Sequence, residues 1–290
     1  MRSLLFVPAT EPRKLDKALA SGADVVIVDL EDSVAADAKE TGRAGMAEFL
    51  GAHAARTDRP KIHVRINGFA SGLVDADLDA AVAAGCDGIM LPKAAGGAEI
   101  TRLDAKIAVA EAVHGIPDGR TRIVAIVTET AHAVFQAGTY RGASHRLTGM
   151  AWGAEDLSAD LGAATARGED GGFLDAFRLA RTLTLLGAVA AETSPIDGVF
   201  TDFRDVAGLE AECRAAARDG FTAKMAIHPA QVPVINAAFT PSEAEVAEAT
   251  RIVAAFAAAG DPGVLALDGI MLDRPHLLRA RRVLGRAGRA

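Results

Sequence analysis

Eight short apolar runs alternate with amphipathic segments along this chain, and the alternation restricts the fold more than any other feature. A short apolar run bounded by polar residues is typical of a strand that is buried on both faces, as in a parallel sheet. Eight such strands, each followed by a helix, predict a (β/α)8 TIM barrel. The predicted strands span residues 3–7, 24–30, 61–66, 88–91, 122–128, 146–152, 196–200 and 223–227.

An open, doubly wound sheet is the second possible fold, but the first strand–helix turn, residues 7–12 (VPATEP), has no glycine for binding a dinucleotide. We assign residues 1–240 to a catalytic barrel and residues 241–290 to a C-terminal helical extension, within a length of 290 residues. The extension is predicted to contain helices over 242–259 and near 276–283. Because it follows closure of the barrel, we expect its apolar face to pack on a neighbouring subunit.

The composition of the chain argues against several classes of function. The net charge is −7, and the basic stretch 279–286 is interpreted as a solvated helix face, so we expect no nucleic-acid binding. Cys86 and Cys213 form no CxxC pair, which indicates a reducing compartment. No apolar stretch approaches the ~20 residues of a membrane span, and the N-terminus lacks a signal-peptide cleavage site. We therefore expect a cytoplasmic protein that binds no membrane.

Two acidic residues stand at the ends of successive predicted strands. Glu129 follows the run 123–128, and Asp156 follows the run 147–153 with Glu155 beside it. Neighbouring strands lie about 4.8 Å apart, so both carboxylates could share one divalent cation. Mg²⁺ usually binds two carboxylates together with waters and substrate oxygens, whereas zinc favours softer ligands. The alternative, about equally supported by the spacing, is that Glu155 and Asp156 are acids in the first turn of a helix.

Arg65 interrupts an apolar strand and therefore needs an anionic partner. A guanidinium at the end of a barrel strand could bind a substrate carboxylate or a developing enolate oxygen. The alternative is a structural ion pair with Glu31 or Asp32. These two acids follow the second strand, where they could accept hydrogen bonds from metal-bound water or cap the next helix.

Other polar residues stand at the remaining strand ends. Lys93, after the fourth strand, could bind a substrate carboxylate or a phosphate, or could be a solvated loop charge. Asp202 is placed after the seventh strand. His228 precedes a proline, and we interpret it as a structural residue rather than a proton carrier. Trp152 is expected to pack at the mouth of the barrel and could line a substrate pocket. Charges of both signs at one mouth are typical of a functional site.

Eight segments carry short motifs in order along nearly the whole chain: residues 2–8 (RSLLFVP), 29–34 (DLEDSV), 64–67 (VRIN), 90–93 (MLPK), 127–130 (VTET), 152–157 (WGAEDL), 226–229 (AIHP) and 268–273 (DGIMLD). Each is weakly specific alone, but together the segments resemble the HpcH/HpaI aldolase and citrate lyase β-subunit family. The most similar branch comprises stand-alone citrate-lyase-β-like proteins, malyl-CoA lyases and citramalyl-CoA lyases.

The resemblance implies a (β/α)8 barrel that assembles as a trimer or a dimer of trimers, with Mg²⁺ bound by Glu129 and Asp156. It implies an oxo-acid lyase that cleaves a 3-hydroxy-3-carboxyacyl-CoA thioester of the citryl-, malyl- or citramalyl-CoA type into acetyl-CoA and a 2-oxo acid. Arg65 would contact the 2-oxo acid, and Asp273 of a neighbouring subunit would protonate the enolate carbon. Glu31 or a metal-bound water would accept the hydroxyl proton.

The turn after the first strand departs from the family pattern. The family commonly has glycine after the strand-1 proline and a basic or amide residue before the next proline, where this chain has Ala9 and Glu11. A glutamate is unfavourable beside CoA phosphates, so the expected manner of CoA binding is altered. The residues that we expect to bind CoA or substrate besides Arg65 are Pro8, Arg13, Lys17 and Lys93.

Three alternatives to the CoA-dependent lyase stay open. The chain could be a thioesterase that hydrolyses malyl-CoA and releases free CoA. It could be a CoA-independent aldolase for 2-oxo acids, although those relatives lack the segment that contains Asp273. It could also be a subunit that acts only inside a multiprotein lyase, on acyl groups held by a carrier protein.

Overall fold

The computed structural model of the protein describes residues 1–53 and 55–288. The chain divides into two compact units, Met1–Asn236 and Ala237–Ala290. This division lies at 236/237, whereas our domain assignment from the sequence places a boundary at 240/241. Within the described residues, no helix combines the length and the apolar character needed to span a membrane.

The first unit contains a closed barrel of eight parallel strands, which confirms the predicted (β/α)8 architecture. The strands pair in chain order, and the last strand pairs with the first to close the barrel. In the short strands, side chains alternate between the barrel interior and the layer of helices, so both faces are buried. The strands are β1 Ser3–Pro8, β2 Val25–Asp29, β3 Lys61–Arg65, β4 Gly88–Leu91, β5 Arg122–Ile126, β6 Leu147–Ala151, β7 Ser194–Asp197 and β8 Ala223–Ala226.

Helices follow the strands of the barrel. Two helices, one short and one long, follow β6, and a last helix follows β8. The helices are α1 Pro12–Leu19, α2 Lys39–His53, α3 Val74–Ala83, α4 Gly97–Val113, α5 Ala131–Val134, α6 Ala154–Leu161, α7 Asp175–Ala190, α8 Val206–Asp219 and α9 Val232–Phe239.

The seventh strand corrects one of our predictions. The sequence pattern predicts a strand over 196–200, but β7 covers Ser194–Asp197. Pro195 hides the beginning of the strand in the sequence, because proline is usually a sign that a central strand is absent. The strand therefore ends at Asp197, and Asp202 is an exposed loop residue instead of a strand-end residue.

The barrel interior is filled by alternate residues of seven strands. These side chains come from strands on opposite sides of the barrel and form one apolar cluster, so the barrel is a packed core rather than a channel. The cluster consists of Leu4, Val25, Ile27, Met90, Val124, Ile126, Ala151, Ile196, Ala223 and Met225.

The second unit consists of two helices and a hairpin. Helix α10, Glu243–Ala258, begins at Ser242, which forms a capping box with Glu245. Helix α11, Arg274–Arg286, packs on α10, and the strands β9, Val264–Leu267, and β10, Ile270–Asp273, form an antiparallel pair that the sequence pattern did not reveal. The buried side chains of the unit are Val246, Ala249, Phe256, Leu272, Leu277, Ala280 and Leu284.

Candidate active site

Arg65 and Asp29 form a tight ion pair at the mouth of the barrel. Asp29 is the last residue of β2 and Arg65 the last of β3, and the parallel register places them directly opposite each other. Arg65 Nε and Nη2 donate to the two carboxylate oxygens of Asp29, both at 2.7 Å. The guanidinium also lies 4.8 Å from the centroid of the Phe6 ring. The arginine is thus oriented by a bidentate pair, which is its most specific geometry.

Both members of this pair stay charged despite their burial. Burial by itself would lower the pKa of Arg65, but the hydrogen bond and charge of Asp29 outweigh it and raise the pKa above its usual value. Burial would likewise raise the pKa of Asp29, and Arg65 instead holds that pKa below its usual value. The guanidinium of Arg65 therefore stays charged and has a fixed orientation at the mouth of the barrel.

Glu129 is one of the two carboxylates that the sequence singled out, and it is almost completely buried, with 2% of its surface exposed. Its Oε2 accepts a hydrogen bond from the main-chain N–H of Lys93 at 2.5 Å. Burial raises the pKa of Glu129 to about 8, and the negative charge of Asp156 adds to the rise. A Cβ at Gly153 would lie 2.8 Å from Glu129 Cγ, so only glycine allows this close approach of chain and carboxylate.

Asp156 lies in the first turn of α6 and is partly exposed. Asp156 is thus a first-turn helix acid, its negative charge acts on Glu129, and its role as a metal ligand stays a prediction. Among the described residues, no group of three or more His, Cys, Asp and Glu side chains is arranged to hold a metal. A cation bound by Glu129 and Asp156 would need waters or substrate oxygens to complete its coordination, as Mg²⁺ commonly does. The two oxygen-donor carboxylates, one of them with a pKa raised by burial and by the charge of the other, fit such a cation.

Lys93 lies next to these carboxylates. Its ammonium contacts Glu31 closely and lies 3.0 Å from Asp32 and 3.1 Å from Asp156. Partial burial would lower the pKa of Lys93, but the contact with Glu31 outweighs it and raises the pKa. Its backbone is left-handed, with φ of 51°. Its ammonium contacts protein carboxylates in this structure, and binding of a substrate carboxylate or a phosphate by Lys93 stays a prediction.

Glu31 connects Lys93 to Arg65. Its side chain is buried, and its Oε2 lies 3.0 Å from Arg65 Nη1 without an aligned hydrogen bond. Burial raises the pKa of Glu31, although the charges of Arg65 and Lys93 oppose the rise. Asp32 is more exposed, and although burial would raise its pKa, the hydrogen bond to Lys93 outweighs this and lowers it. The ion pair between Arg65 and Glu31 that the sequence allowed is therefore present, together with the stronger pair to Asp29.

A cavity of about 320 Å³ opens between these groups. Arg65 is the one cationic residue among those that line it, and several apolar side chains also line it. Trp152 lines the cavity as expected, and its Nε1–H donates to Asp197 Oδ1 at 2.8 Å. The lining residues are Phe6, Pro8, Asp29, Ser33, Arg65, Ile126, Glu129, Trp152, Gly153, Ala154, Glu155, Asp156, Val199, Met225 and Ile227.

Other residues that we singled out lie elsewhere. Arg13 and Lys17 are on the exposed face of α1 and do not line the cavity, in contrast to Pro8. Asp273 belongs to the second unit, where its carboxylate lies 2.6 Å from His276 Nδ1 and is about half exposed. His228 accepts a hydrogen bond from the main-chain N–H of Ala230 at 3.2 Å and caps a short helical turn, so its role in this structure is local.

Two functional partners were missed by sequence reasoning. Asp29 stands at a strand end, but we did not predict that it would orient Arg65. Asp197 was hidden by the wrong position of the seventh strand. It is buried, and it pairs with Lys224 and Arg181, both at 2.9 Å. Although burial opposes it, the charge of Lys224 lowers the pKa of Asp197 to about 2. The alignment of strand ends could have identified Asp29 as a partner, because parallel neighbours end at one edge.

Known proteins are similar to this chain over nearly its full length. The family model for HpcH/HpaI aldolase/citrate lyase matches residues 2–229. A citrate lyase subunit beta-like protein of Mycobacterium tuberculosis is 37% identical over 288 residues, which cover 99% of this chain and 95% of that protein. A (3S)-malyl-CoA thioesterase of Cereibacter sphaeroides is 36% identical over 288 residues, which cover 99% of this chain and 94% of that protein.

A solved structure shares the fold. The crystal structure of the CitE protein of Mycobacterium tuberculosis, in complex with magnesium, acetoacetate and coenzyme A, matches with a TM-score of 0.79 at 36% identity and covers 99% of this chain and 98% of that chain. Fold and site together define a (β/α)8 barrel with an acidic mouth and a single oriented arginine. The chain belongs to the HpcH/HpaI aldolase/citrate lyase family, and several of the solved structures that it matches contain magnesium.

Proposed function

We propose that this protein is a Mg²⁺-dependent carbon–carbon lyase that cleaves a 3-hydroxy-3-carboxyacyl-CoA thioester into acetyl-CoA and a 2-oxo acid. The observation that carries the proposal is the buried Glu129 carboxylate, influenced by Asp156 and lying in the same cavity as Arg65. The relative that was crystallised with magnesium, acetoacetate and coenzyme A supports this choice of cation and substrate class.

Glu129 and Asp156 would hold the Mg²⁺, which when bound supplies positive charge to the oxygen atoms of the substrate. Arg65 would bind the carboxylate of the 2-oxo acid portion and stabilise the negative charge that develops on oxygen. Glu31, whose pKa is raised by burial, is a candidate acceptor for the proton of the substrate hydroxyl. Loss of that proton lets the carbon–carbon bond break, and its electron pair stays with the acetyl fragment as an enolate.

Asp273 of a neighbouring copy would then protonate the enolate carbon. In this chain the carboxylate is about half exposed, at the end of the hairpin of the second unit. Four apolar side chains of the same unit are exposed by more than half, which supports a partner surface on it: Val264, Ile270, Met271 and Leu278. We infer a homotrimer or a dimer of trimers.

Arg13 and Lys17 are the proposed contacts for the phosphates of CoA, because both are exposed cations on α1, the helix that follows the strand ending at Pro8. Glu11 lies at the start of the same helix, with its carboxylate 3.4 Å from Lys14. This local pairing reduces the repulsion that an isolated glutamate would exert on a phosphate.

The cavity also suggests which acyl group is preferred. Apolar side chains such as Ile126, Val199 and Met225 line its wall, and Arg65 can pair with one substrate carboxylate. Oxaloacetate carries a second carboxylate that would have to lie against the apolar wall, whereas pyruvate would place a methyl group there. We therefore propose that kcat/KM for pyruvate is about tenfold or more higher than for oxaloacetate, measured in the condensation direction with acetyl-CoA.

A thioesterase that acts on malyl-CoA is the second candidate function, because one relative carries that name. Water would attack the thioester carbonyl, and free CoA would appear in place of acetyl-CoA. A thiol assay beside chromatography of acetyl-CoA separates the two reactions on citryl-, malyl- and citramalyl-CoA.

The decisive variants are Glu129→Gln and Asp156→Asn. Each removes one negative charge from the proposed Mg²⁺ site, so we expect calorimetric Mg²⁺ affinity to fall at least about tenfold and turnover by 10² or more. Glu40→Gln, an exposed carboxylate at the start of α2, is the matched control and should change neither. Full activity of both site variants, or activity that persists with EDTA, would refute the proposal.

A further inference from the structure

One lysine contacts four carboxylates at the mouth of the barrel. The ammonium of Lys93 contacts Glu31, Asp32 and Asp156, and its main-chain N–H donates to Glu129. The side chain and the backbone of the same residue therefore reach both proposed Mg²⁺ ligands. Three of these four acids are fully or partly buried, so their mutual repulsion is weakly screened.

The backbone of Lys93 is held in a conformation that lysine rarely adopts. A left-handed φ of 51° costs a residue with a Cβ about 1 kcal/mol or more. The hydrogen bond of 2.5 Å from its N–H to Glu129 depends on this turn of the chain. Strain of this kind persists where surrounding contacts enforce it, and it is often found at functional sites.

Asp156 cannot serve two cations equally well. Its Oδ1 lies 3.1 Å from the Lys93 ammonium, and a divalent cation bound to the same carboxylate would be repelled by that ammonium. Glu31 and Asp32 offer the ammonium two other contacts. Both follow β2, whereas Glu129 follows β5 on the other side of Lys93 in the strand order. The lysine can therefore release Asp156 without becoming unpaired.

We propose that Lys93 is an internal counter-ion of the acidic mouth: its ammonium competes with a divalent cation for Asp156, while its main-chain N–H positions Glu129. Lys93 is thus a positioning residue rather than a catalytic one. The inference rests on the proposed function, because it assumes that Glu129 and Asp156 bind Mg²⁺. The ammonium offsets the repulsion among the carboxylates before the cation arrives, at the expense of affinity for the cation.

The test compares Lys93→Met, Lys93→Gly and Lys93→Arg with the wild-type chain by calorimetric titration with MgCl₂ in the absence of substrate. Methionine keeps the length of the side chain without its charge, so we expect Mg²⁺ to bind on the order of tenfold more tightly. Lys93→Gly should also bind Mg²⁺ more tightly than wild type, and it relieves the strained φ. Arginine keeps the charge and should bind Mg²⁺ within about threefold of wild type.

Thermal unfolding gives a second measurement that a merely structural lysine would not affect in the same way. Without Mg²⁺, Lys93→Met should have a lower Tm than wild type, because Asp156 and its neighbours lose their counter-ion. Saturating Mg²⁺ should restore most of that loss, so that the rise in Tm caused by Mg²⁺ is larger in the variant. A structural lysine would lower Tm by the same amount with and without Mg²⁺.

The outcomes separate the inference from the proposed function. If the wild-type chain binds Mg²⁺ and Glu129→Gln does not, the metal site stands, and an unchanged or weaker affinity of both Lys93→Met and Lys93→Gly then overturns the counter-ion role. If the wild-type chain and Glu129→Gln bind Mg²⁺ equally, or neither binds it, the metal site itself is wrong and the inference falls with it.

Discussion

At the scale of single residues, the site depends on side chains that are held by other side chains. Asp29 orients Arg65 through two hydrogen bonds of 2.7 Å, and the Lys93 N–H orients Glu129. Each held group faces the cavity with little freedom to move, so little reorganisation is needed when a substrate binds. Preorganisation of this kind is a main source of catalytic stabilisation of charge.

Arg65→Lys tests this orientation. Lysine offers one point charge in place of the planar fork that pairs with Asp29, so we expect kcat/KM to fall by about 10²-fold although the charge is kept. Steady-state kinetics with the preferred thioester measures the effect. Arg141→Lys is the control, because Arg141 is 73% exposed and its ion pair at 3.5 Å is with Glu192, which is 81% exposed. A loss of less than about threefold for Arg65→Lys would contradict the role of the fork.

The sequence located the positions of the site residues better than their contacts. Glu129, Asp156 and Arg65 could be found because charge at the end of an apolar run is unusual. Their contacts were not predicted: Asp29 was not singled out as the partner of Arg65, and Lys93 was considered a ligand for substrate or phosphate rather than a neighbour of Glu129. The left-handed backbone of Lys93 was equally invisible, since no glycine or asparagine marks that position.

At the scale of elements, seven of the eight strands could be predicted to within two residues at each end, and β7 could not. Apolar β-branched runs such as Val25–Asp29 identify buried parallel strands directly. The strand that contains Pro195 was shifted, because a proline conceals its beginning. The hairpin of the second unit was also missed, since its two four-residue strands form a pattern too short to distinguish from a loop.

His63 in β3 gives the fold a dependence on pH. Burial lowers the pKa of His63 to about 4, with Asp87 opposing and Lys61 supporting the shift. The unfolded chain, with an ordinary histidine pKa near 6.5, takes up this proton first as the pH falls. The stabilising contribution is therefore complete above about pH 6.5 and is lost as the pH falls to about 4, by on the order of 2–3 kcal/mol.

Urea unfolding of the wild-type chain and of His63→Gln between pH 7 and 4.5 measures this contribution. Glutamine does not titrate, so the free energy of unfolding of the variant should fall less steeply with pH. His145→Gln is the control, because His145 is 64% exposed, and its profile should match that of wild type. Parallel profiles for His63→Gln and wild type would show that His63 is not the titrating group.

At the scale of the whole molecule, the proposed reaction needs residues from both compact units. Glu129 lies in the unit Met1–Asn236 and Asp273 in the unit Ala237–Ala290. We propose that the two act together across copies of the chain. An oligomer would then be required for activity, and dilution below its dissociation constant should abolish turnover.

Mixing two inactive variants tests this sharing. Glu129→Gln lacks the metal site and Asp273→Asn lacks the proton donor, so each alone should be inactive. After dissociation and reassembly of an equal mixture, about a quarter of the sites should combine an intact Glu129 with an intact Asp273 from a neighbour. Turnover of the mixture is measured beside each variant alone. An inactive mixture in which the variants demonstrably co-assemble, or a fully active Asp273→Asn, would contradict the shared site.

The chain contains one tryptophan, and that residue is Trp152 in the wall of the cavity. Its indole is buried, hydrogen-bonded to Asp197 and edge-on to Phe173 at 4.9 Å between ring centroids. When the indole absorption band is excited, the fluorescence of the protein therefore comes from one residue in the candidate site, Trp152. Cation and thioester binding can be timed by rapid mixing without any label, and the order in which they arrive becomes directly observable.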